Sequence, residues 1–246
     1  VKPFFKTRTL EQVHDLARGV RALGDESVAL ESLSGRTLAR EITAAHDLPG
    51  FARSTMDGYA VHGRDTFGAG EGSPAYLTLR AEVAMGTVPG FALEAGCCAR
   101  IGTGGMLPGG ADAVVMVEHT RIVDERTIEV ARSVAPGTNV LGPSDDAEQG
   151  QVLLDAGRRL QPQDVGLLAA LGCTAASVIR KPRVGIISTG DEVVPVSGSP
   201  EPGQVRDVNA HTLAAQVTAA GAEAVPLGLV PDDEEAIREK VQASLE

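Results

Sequence analysis

Apolar positions recur at helical spacing near the start of the chain. In LEQVHDLARGVRAL, Leu10, Val13, Leu16, Val20 and Leu23 fall near one face, Thr9 can cap the start, and Gly24 can stop it. This predicts an amphipathic helix with His14 on its exposed side. From Ser34 to His46 the pattern reads as a turn and a short strand, and Pro49, Gly50 and Gly58 then mark a domain crossing around Leu48. From about 59 to 135 the helical period weakens. The runs TLRAEVAM, DAVVMVEHTRIV and RTIEVARSV, spaced by Gly and Pro, predict a compact β domain.

A second helix is predicted in QPQDVGLLAALG, with Pro162 suited to an early helical position, Val165, Leu167, Leu168 and Leu171 clustering, and Gly172 as its stop. If the two helices share a domain, the β-rich segment is an insertion. After Lys181-Pro182 the pattern changes again. RVGIIS is a continuous apolar strand closed by STGDE, NAHTLAAQVTAAG a helix with Asn209 at its cap, and AVPLGLV a second strand. Asp232 begins the last helix with Glu235 at capping-box spacing, and Ile237, Val241 and Leu245 line one face.

The expected fold class is therefore multidomain α/β plus β. A discontinuous helical and mixed domain covers residues 1–50 and 145–181, an inserted β-rich domain covers 51–144, and an α/β domain with a parallel sheet covers 182–246. Two strands do not bury both faces of such a sheet, so this last domain is expected to be partial.

Composition narrows the function classes. Thirty-three Asp and Glu against 22 Lys and Arg give a net charge of −11, opposite to what a phosphate backbone attracts, so no nucleic-acid partner is expected. Small anions remain accessible through loop amides, helix N-termini or a divalent cation. The opening VKPFFKTRTLEQ has no apolar core of a signal peptide, and no apolar run is long enough to cross a bilayer, so no membrane anchor is expected. The three cysteines, Cys97, Cys98 and Cys173, fit neither a zinc spacing nor a secreted disulfide framework. They read as small buried hydrophobes in a reducing cytoplasm. His46, His62, His119 and His211 are too scattered for a zinc site.

The candidate chemistry lies at strand ends and in glycine-rich loops. In open α/β sheets ligands bind beyond the carboxyl ends of parallel strands, and Glu192 and Asp232 each follow one such end. Gly190 permits close backbone approach, Ser188 and Thr189 supply donors, and Asp191 with Glu192 could hold a cation or accept pterin-like N–H groups. The competing reading makes Asp191 a turn residue and Asp232 a helix cap. Earlier in the chain, STMDGYA at 54–60 combines hydroxyls, Asp57 and a glycine, and GTGGMLPGGADAVV sets Thr103 among glycines. Each is a loop able to cradle an oxyanion.

Taken in order, DLPGFARSTMDGYAV, IGTGGMLPGGADAVVMVEHT, SDDAEQGQVLL, PRVGIISTGDE, VRDVN and GLVPDDEEAI resemble the molybdopterin molybdenumtransferase family, to which gephyrin's carboxy-terminal domain belongs. The resemblance implies binding of adenylylated molybdopterin and molybdate, cleavage of the adenylate linkage with Mg²⁺, and insertion of molybdenum into the dithiolene with release of AMP. It assigns the reaction to Asp57, Thr103, Asp146, Glu192 and Asp232, with Glu192 and Asp232 as metal ligands. Ser188, Thr189, Gly190, Asp191, Asp207 and Asn209 then fall in the motifs that bind the pterin substrate, which makes residues 182–246 a molybdopterin-binding domain. It further implies a homodimer whose cleft joins the third domain of one subunit to the second of the other, fed by a molybdopterin adenylyltransferase.

Two departures qualify this. Ser144-Asp145-Asp146 replaces the family's more usual Gly-Glu-Asp, preceded by Leu141, Gly142 and Pro143 instead of a basic run. The family's Gly-rich TGGxSxG segment, later basic residues and fourth domain are not found before Glu246, so the chain is expected to be a fragment, inactive alone. The alternative function is a non-catalytic pterin-binding or scaffold protein of the same family.

Overall fold

A computed structural model describes residues 7–21 and 23–245. The first six residues, where the sequence shows no signal-peptide core, lie outside the described residues. The chain divides into two compact units, one formed by Val1–Arg40 with Asp155–Glu246 and the other by Glu41–Leu154. Among the described residues no helix is long and apolar enough to cross a membrane.

The Glu41–Leu154 unit is built on a six-stranded sheet, ordered Ala113–Met116, Gly58–Val61, Cys97–Ile101, Ala75–Glu82, Thr127–Val130 and Thr120–Ile122. All pairings are antiparallel except that of Ala75–Glu82 with Cys97–Ile101. Two buried clusters share its strands. Tyr59, Val61, Cys98, Val115 and Ile128 belong to one, and Ala60, Ala99, Ile101 and Val114 to the other. Alternate residues of a strand point to opposite faces, so strands contributing to both clusters are covered on both sides. Gly58 is required sterically, because a Cβ there would lie 1.9 Å from the Val115 carbonyl oxygen.

The predicted runs at 78–85, 112–123 and 126–134 each contain or overlap strands, at Ala75–Glu82, at Ala113–Met116 and Thr120–Ile122 on either side of a short 3-10 turn at Val117–His119, and at Thr127–Val130. Two strands of this sheet escape the sequence reading. Gly58–Val61 lies inside the segment read as a loop, and Cys97–Ile101 inside a segment read only for its cysteines. Cys98 is fully buried there, and burial pushes its thiol up to about 12, as expected of an inert core residue.

In the other unit, α1 (Leu10–Arg18) has the predicted Thr9 cap, reinforced by Gln12 in a capping box. It is shorter than predicted, because Gly19 closes it by returning its N–H to Asp15 and Leu16. None of its residues is buried, and Leu10, Val13 and Leu16 stand in solvent. An antiparallel pair, Asp25–Ala29 with Ala175–Ile179, and α2 (Pro162–Ala170) carry a core that includes Leu33, Leu38, Leu160, Leu168 and Val178. Pro162 is the first helical residue, as predicted. Asp164, 4% exposed, accepts two hydrogen bonds from Arg158, at 3.0 and 3.1 Å, and one from the Gln161 N–H at 2.9 Å.

The β-α-β-α order of the remainder is present. Arg183–Thr189 pairs in parallel with Glu223–Val230, with α3 (Asn209–Ala219) between them in sequence and α4 (Glu234–Leu245) following. Its core is thin, with only Ile186 and Val230 among the buried apolar residues. A short parallel pair, Val193–Val194 with Val205–Arg206, intervenes before α3 and was not predicted.

Two predicted caps move by one or two residues. Val208 precedes α3 in helical conformation, and Asp207, not Asn209, caps the helix by accepting the Ala210 N–H at 3.0 Å. Asp233, not Asp232, caps α4 by accepting the Ala236 N–H at 2.9 Å, so Asp232 and Glu235 form no capping box. A capping carboxylate must reach the N–H three residues on. Where acids or amides cluster, spacing alone does not choose among them.

Two substitutions test this account. Gly58→Ala should lower unfolding free energy by about 3 kcal/mol, because the new methyl meets a central strand's backbone, read as a fall in the urea midpoint. Asp164→Ala should cost about 2 kcal/mol at neutral pH. Arg158, followed by the Gln161 N–H and against the opposing effect of burial, holds the Asp164 carboxyl below its ordinary range. Its contribution is therefore complete above about pH 4 and is lost as pH falls through the depressed folded value. The gap between wild type and Asp164→Ala should narrow correspondingly in acid.

Candidate functional site

The carboxyl end of the Arg183–Thr189 strand opens into a cleft of about 490 Å³. Ser188 and Thr189 line it from the strand, Glu192 from the loop that follows, and Arg206, Asp207 and Asn209 from the approach to α3. Five residues singled out from sequence thus share one cavity. Asp207 is the hinge of the arrangement. Its carboxylate is held below the ordinary range first by the Ala210 N–H and then by the Ser188 hydroxyl, with His211 adding attraction and burial opposing. The acid thereby orders both the helix start and a strand-end hydroxyl.

Gly190 adopts φ +136°, and a Cβ there would lie 2.9 Å from Glu192 Oε2 and 2.7 Å from Val193 Cγ2. The glycine therefore lets the Glu192 carboxylate fold back against the strand end. Asp191 reaches across to the neighbouring strand's exit, where its Oδ1 accepts the Asp232 N–H at 3.3 Å. Parallel pairing of Thr189 with Val230 sets both acidic loops on one rim. Asp232 itself does not line the cleft. With Asp233 serving as cap, its carboxylate is not engaged at the helix start, which removes the helix-cap reading of this residue. Asp191 does act as a loop tether.

Sequence reasoning passed over Arg206 although it stands in VRDVN. It pairs in register with Val194, donates Nε–H to the Val196 carbonyl at 3.2 Å, and supplies the cleft's cation. Its signal was a basic residue beside acids at a strand-to-helix junction.

The Glu41–Leu154 unit has its own cleft, about 540 Å³, lined among others by Asp57, Gly58, Glu82, Met85, Arg100 and Gly102. Asp57 Oδ1 accepts both the N–H and the hydroxyl of Thr103, each at 2.7 Å. The Thr103 hydroxyl, then its N–H, hold the Asp57 carboxyl below the ordinary range, with Arg100 adding a smaller attraction against the desolvation that raises it. The loop carrying Thr103 is fixed to the strand before Asp57: Ser54 donates to the Gly105 carbonyl at 2.9 Å, and Gly104 donates to the Ser54 carbonyl at 2.8 Å. The two glycine-containing motifs are therefore one structure. Arg100, which sequence reasoning also missed, lies one strand residue before Ile101 on the wall of the same cleft.

Asp146 is not part of that lining. Its carboxylate faces Arg53 at 3.5 Å, and its N–H donates to the Leu48 carbonyl at 2.8 Å. Asp145 closes the unusual Leu-Gly-Pro-Ser turn by accepting the Gly142 N–H at 2.6 Å, with Ser144 at φ +68°. The Asp146 carboxylate is thus met by a cation from a different segment, Arg53. Among the described residues no group of three or more His, Cys, Asp or Glu side chains converges on a metal-sized site.

Comparisons with known proteins agree with these motifs. Residues 7–172 match the MoeA N-terminal region (domain I and II), and residues 185–246 match a probable molybdopterin binding domain. The chain is 40% identical over 211 residues to the molybdopterin molybdenumtransferase of Bacillus subtilis, covering 85% of this chain and 49% of that protein. It is 37% identical over 220 residues to that of a Nostoc species, covering 89% and 50%. Among solved structures, a molybdopterin biosynthesis MoeA protein from Pyrococcus horikoshii superposes with a TM-score of 0.81 at 37% identity, covering 90% of this chain and 59% of that one. The chain spans about half the length of the curated relatives it matches.

The Asp57–Thr103 clamp can be tested directly. Thr103→Val removes the hydroxyl donor and leaves the N–H, so the Asp57 midpoint in a carboxyl NMR titration should rise toward the ordinary value. An unmoved midpoint would mean that the hydroxyl does not hold the acid.

Proposed function

This chain belongs to the MoeA family, and from that membership we propose that it works in molybdenum cofactor biosynthesis, inserting molybdate into adenylylated molybdopterin with release of AMP. The observation that carries the reading is the strand-end cleft. It combines hydroxyls, an amide, carboxylates and one guanidinium around a cavity of about 490 Å³. Such a set matches a ligand with N–H and carbonyl edges at one end and phosphates at the other. On this reading Ser188, Thr189, Gly190, Asp191, Asp207 and Asn209 bind the pterin substrate, and Arg206 faces its phosphates.

Mg²⁺ fits this donor set in one form only. With no group of three protein ligands among the described residues, Glu192 and Asp232 would hold the ion together with water and substrate oxygens, as Mg²⁺ is commonly bound. When bound it would supply positive charge to neutralise the phosphates. Glu192 and Asp232 position that charge. Asp57, ordered by Thr103, and Asp146, paired with Arg53, serve the molybdate end, where Arg100 and Arg53 beside them offset the charge of an incoming oxyanion.

The remaining parts of the reading follow the family. The protein acts as a homodimer, supported by the α1 face whose Leu10 and Leu16 are 70% and 61% exposed among the described residues. It takes its substrate from a molybdopterin adenylyltransferase in the cytoplasm, consistent with three free cysteines. Three domains, 1–50 with 145–181, 51–144 and 182–246, carry the function.

The decisive assay measures AMP released from adenylylated molybdopterin and molybdate by the complete protein carrying this sequence. Wild type should turn over, and Glu192→Gln should lose roughly 100-fold while keeping its fold and pterin affinity. Full activity in the variant removes Glu192 from the chemistry. Pterin binding without AMP release by wild type makes the protein a scaffold instead.

A further inference from the structure

At the opposite, amino ends of the two long parallel strands lies a second cavity, of about 150 Å³, that the proposed reaction does not use. Its wall includes Arg36, Thr37, Arg159, Arg180, Lys181 and Gly221, and no acidic side chain lines it. In a chain with net charge −11, four cations around one small cavity run against the mean charge.

The cavity's frame is held by backbone hydrogen bonds. Gly35 donates to the Leu160 carbonyl at 2.9 Å, Leu160 to the Arg36 carbonyl at 2.8 Å, and Ile179 to the Thr37 carbonyl at 2.8 Å. The opposite wall is tied down where Glu223 donates to the Pro182 carbonyl at 2.9 Å. Arg36 is 9% exposed, with its charge met by Glu26 and one N–H on the Ile179 carbonyl at 2.9 Å. Arg180 donates Nε–H to the Asp25 carbonyl at 3.1 Å, while the Asp25 carboxylate is engaged by Arg40 and Ser177. Arg159 and Lys181 have no ion pair among the described residues.

Three carbonyls in the last turn of α3, at Gln216, Val217 and Thr218, already accept the N–H groups of Ala220, Ala222 and Gly221, so four cations exceed what this helix end can use. Like charges gathered in a fixed frame repel one another, and an anion between them reverses that cost. At about 150 Å³ the cavity is much smaller than the strand-end cleft of about 490 Å³, a size that suits a small ion better than a nucleotide or a pterin. Guanidinium forks match the oxygens of a tetrahedral anion in geometry as well as charge.

We propose that this basic cavity is an oxyanion site, taking one tetrahedral dianion of the sulfate, phosphate or molybdate type. The ion enters free or as the terminal phosphoryl group of a larger molecule, held by Arg159, Arg180 and Lys181 with Arg36 behind them. The site stands whether or not the catalytic reading does.

Calorimetric titration of this chain with sodium sulfate, against sodium chloride at matched ionic strength, tests it. A saturable sulfate-binding event is expected that is weakened at least 10-fold by Arg159→Ala with Lys181→Ala and that persists in Arg206→Ala, which strips the strand-end cleft of its cation. Both altered side chains in the double variant are exposed, so its thermal midpoint without sulfate should match wild type. Phosphoserine added as a competitor distinguishes the sources: displacement of sulfate identifies a tethered phosphoryl group, and no displacement identifies the free ion, and either upholds the site. No saturable binding beyond the chloride control, undiminished binding by the double variant, or equal loss in Arg206→Ala would overturn it.

Discussion

The Asp57 cleft depends on a steric constraint in the middle of a sheet. Gly58–Val61 must pass between Ala113–Met116 and Cys97–Ile101 with both its faces covered, and at its first residue there is no room for a side chain. Because Gly58 can sit against the Val115 carbonyl, Asp57 emerges at the strand's edge, where its own carbonyl accepts the Val117 N–H at 3.0 Å. The neighbouring strand ends one residue before Gly102, so Thr103 arrives opposite Asp57. The acid's low proton affinity follows from that register. Two donors within hydrogen-bonding distance favour the charged form more than modest desolvation disfavours it.

The same constraint explains what was legible in the sequence. Amphipathic periodicity and punctuation by Gly and Pro were enough for the outer strands, α1, α2 and the β-α-β-α order, since each exposes one face or ends at a recognisable stop. Gly58–Val61 and Cys97–Ile101 gave no such signal. A strand buried on both faces has no alternation, and these two, GYAV and CCARI, are short runs in which Arg100 alone is exposed, flanked by loop-like residues. The motif STMDGYA was read as a loop throughout, although its second half opens a central strand at Gly58.

Acids in this chain are abundant, so their type and spacing could not decide their roles. Hydrogen-bond accounting sorts them better. Asp164, Asp207 and Asp233 are engaged at helix starts, Asp145 closes a turn, and Asp191 ties one loop to the next strand's exit. Glu192 and Asp232 are left as strand-end carboxylates without a capping duty. These are the two carboxylates that the resemblance assigned to the metal.

Cations were the larger omission, and the reason is physical as well as procedural. In a protein of net charge −11 the eye goes to carboxylates, yet every substrate in the proposed reaction is an anion. Long-range attraction to such substrates is unfavourable, so binding must come from short-range groups: guanidinium forks, loop amides and hydroxyls, acting within a Debye length of about 8 Å. Arg53, Arg100 and Arg206 each stand next to an acid singled out from sequence. Each cation is steadied by its own short-range contact where one is made: Arg53 meets Asp146 as an ion pair at 3.5 Å, whereas Arg206 donates to the Val196 carbonyl at 3.2 Å, so a basic group can be ordered at these sites without an acid neutralising it.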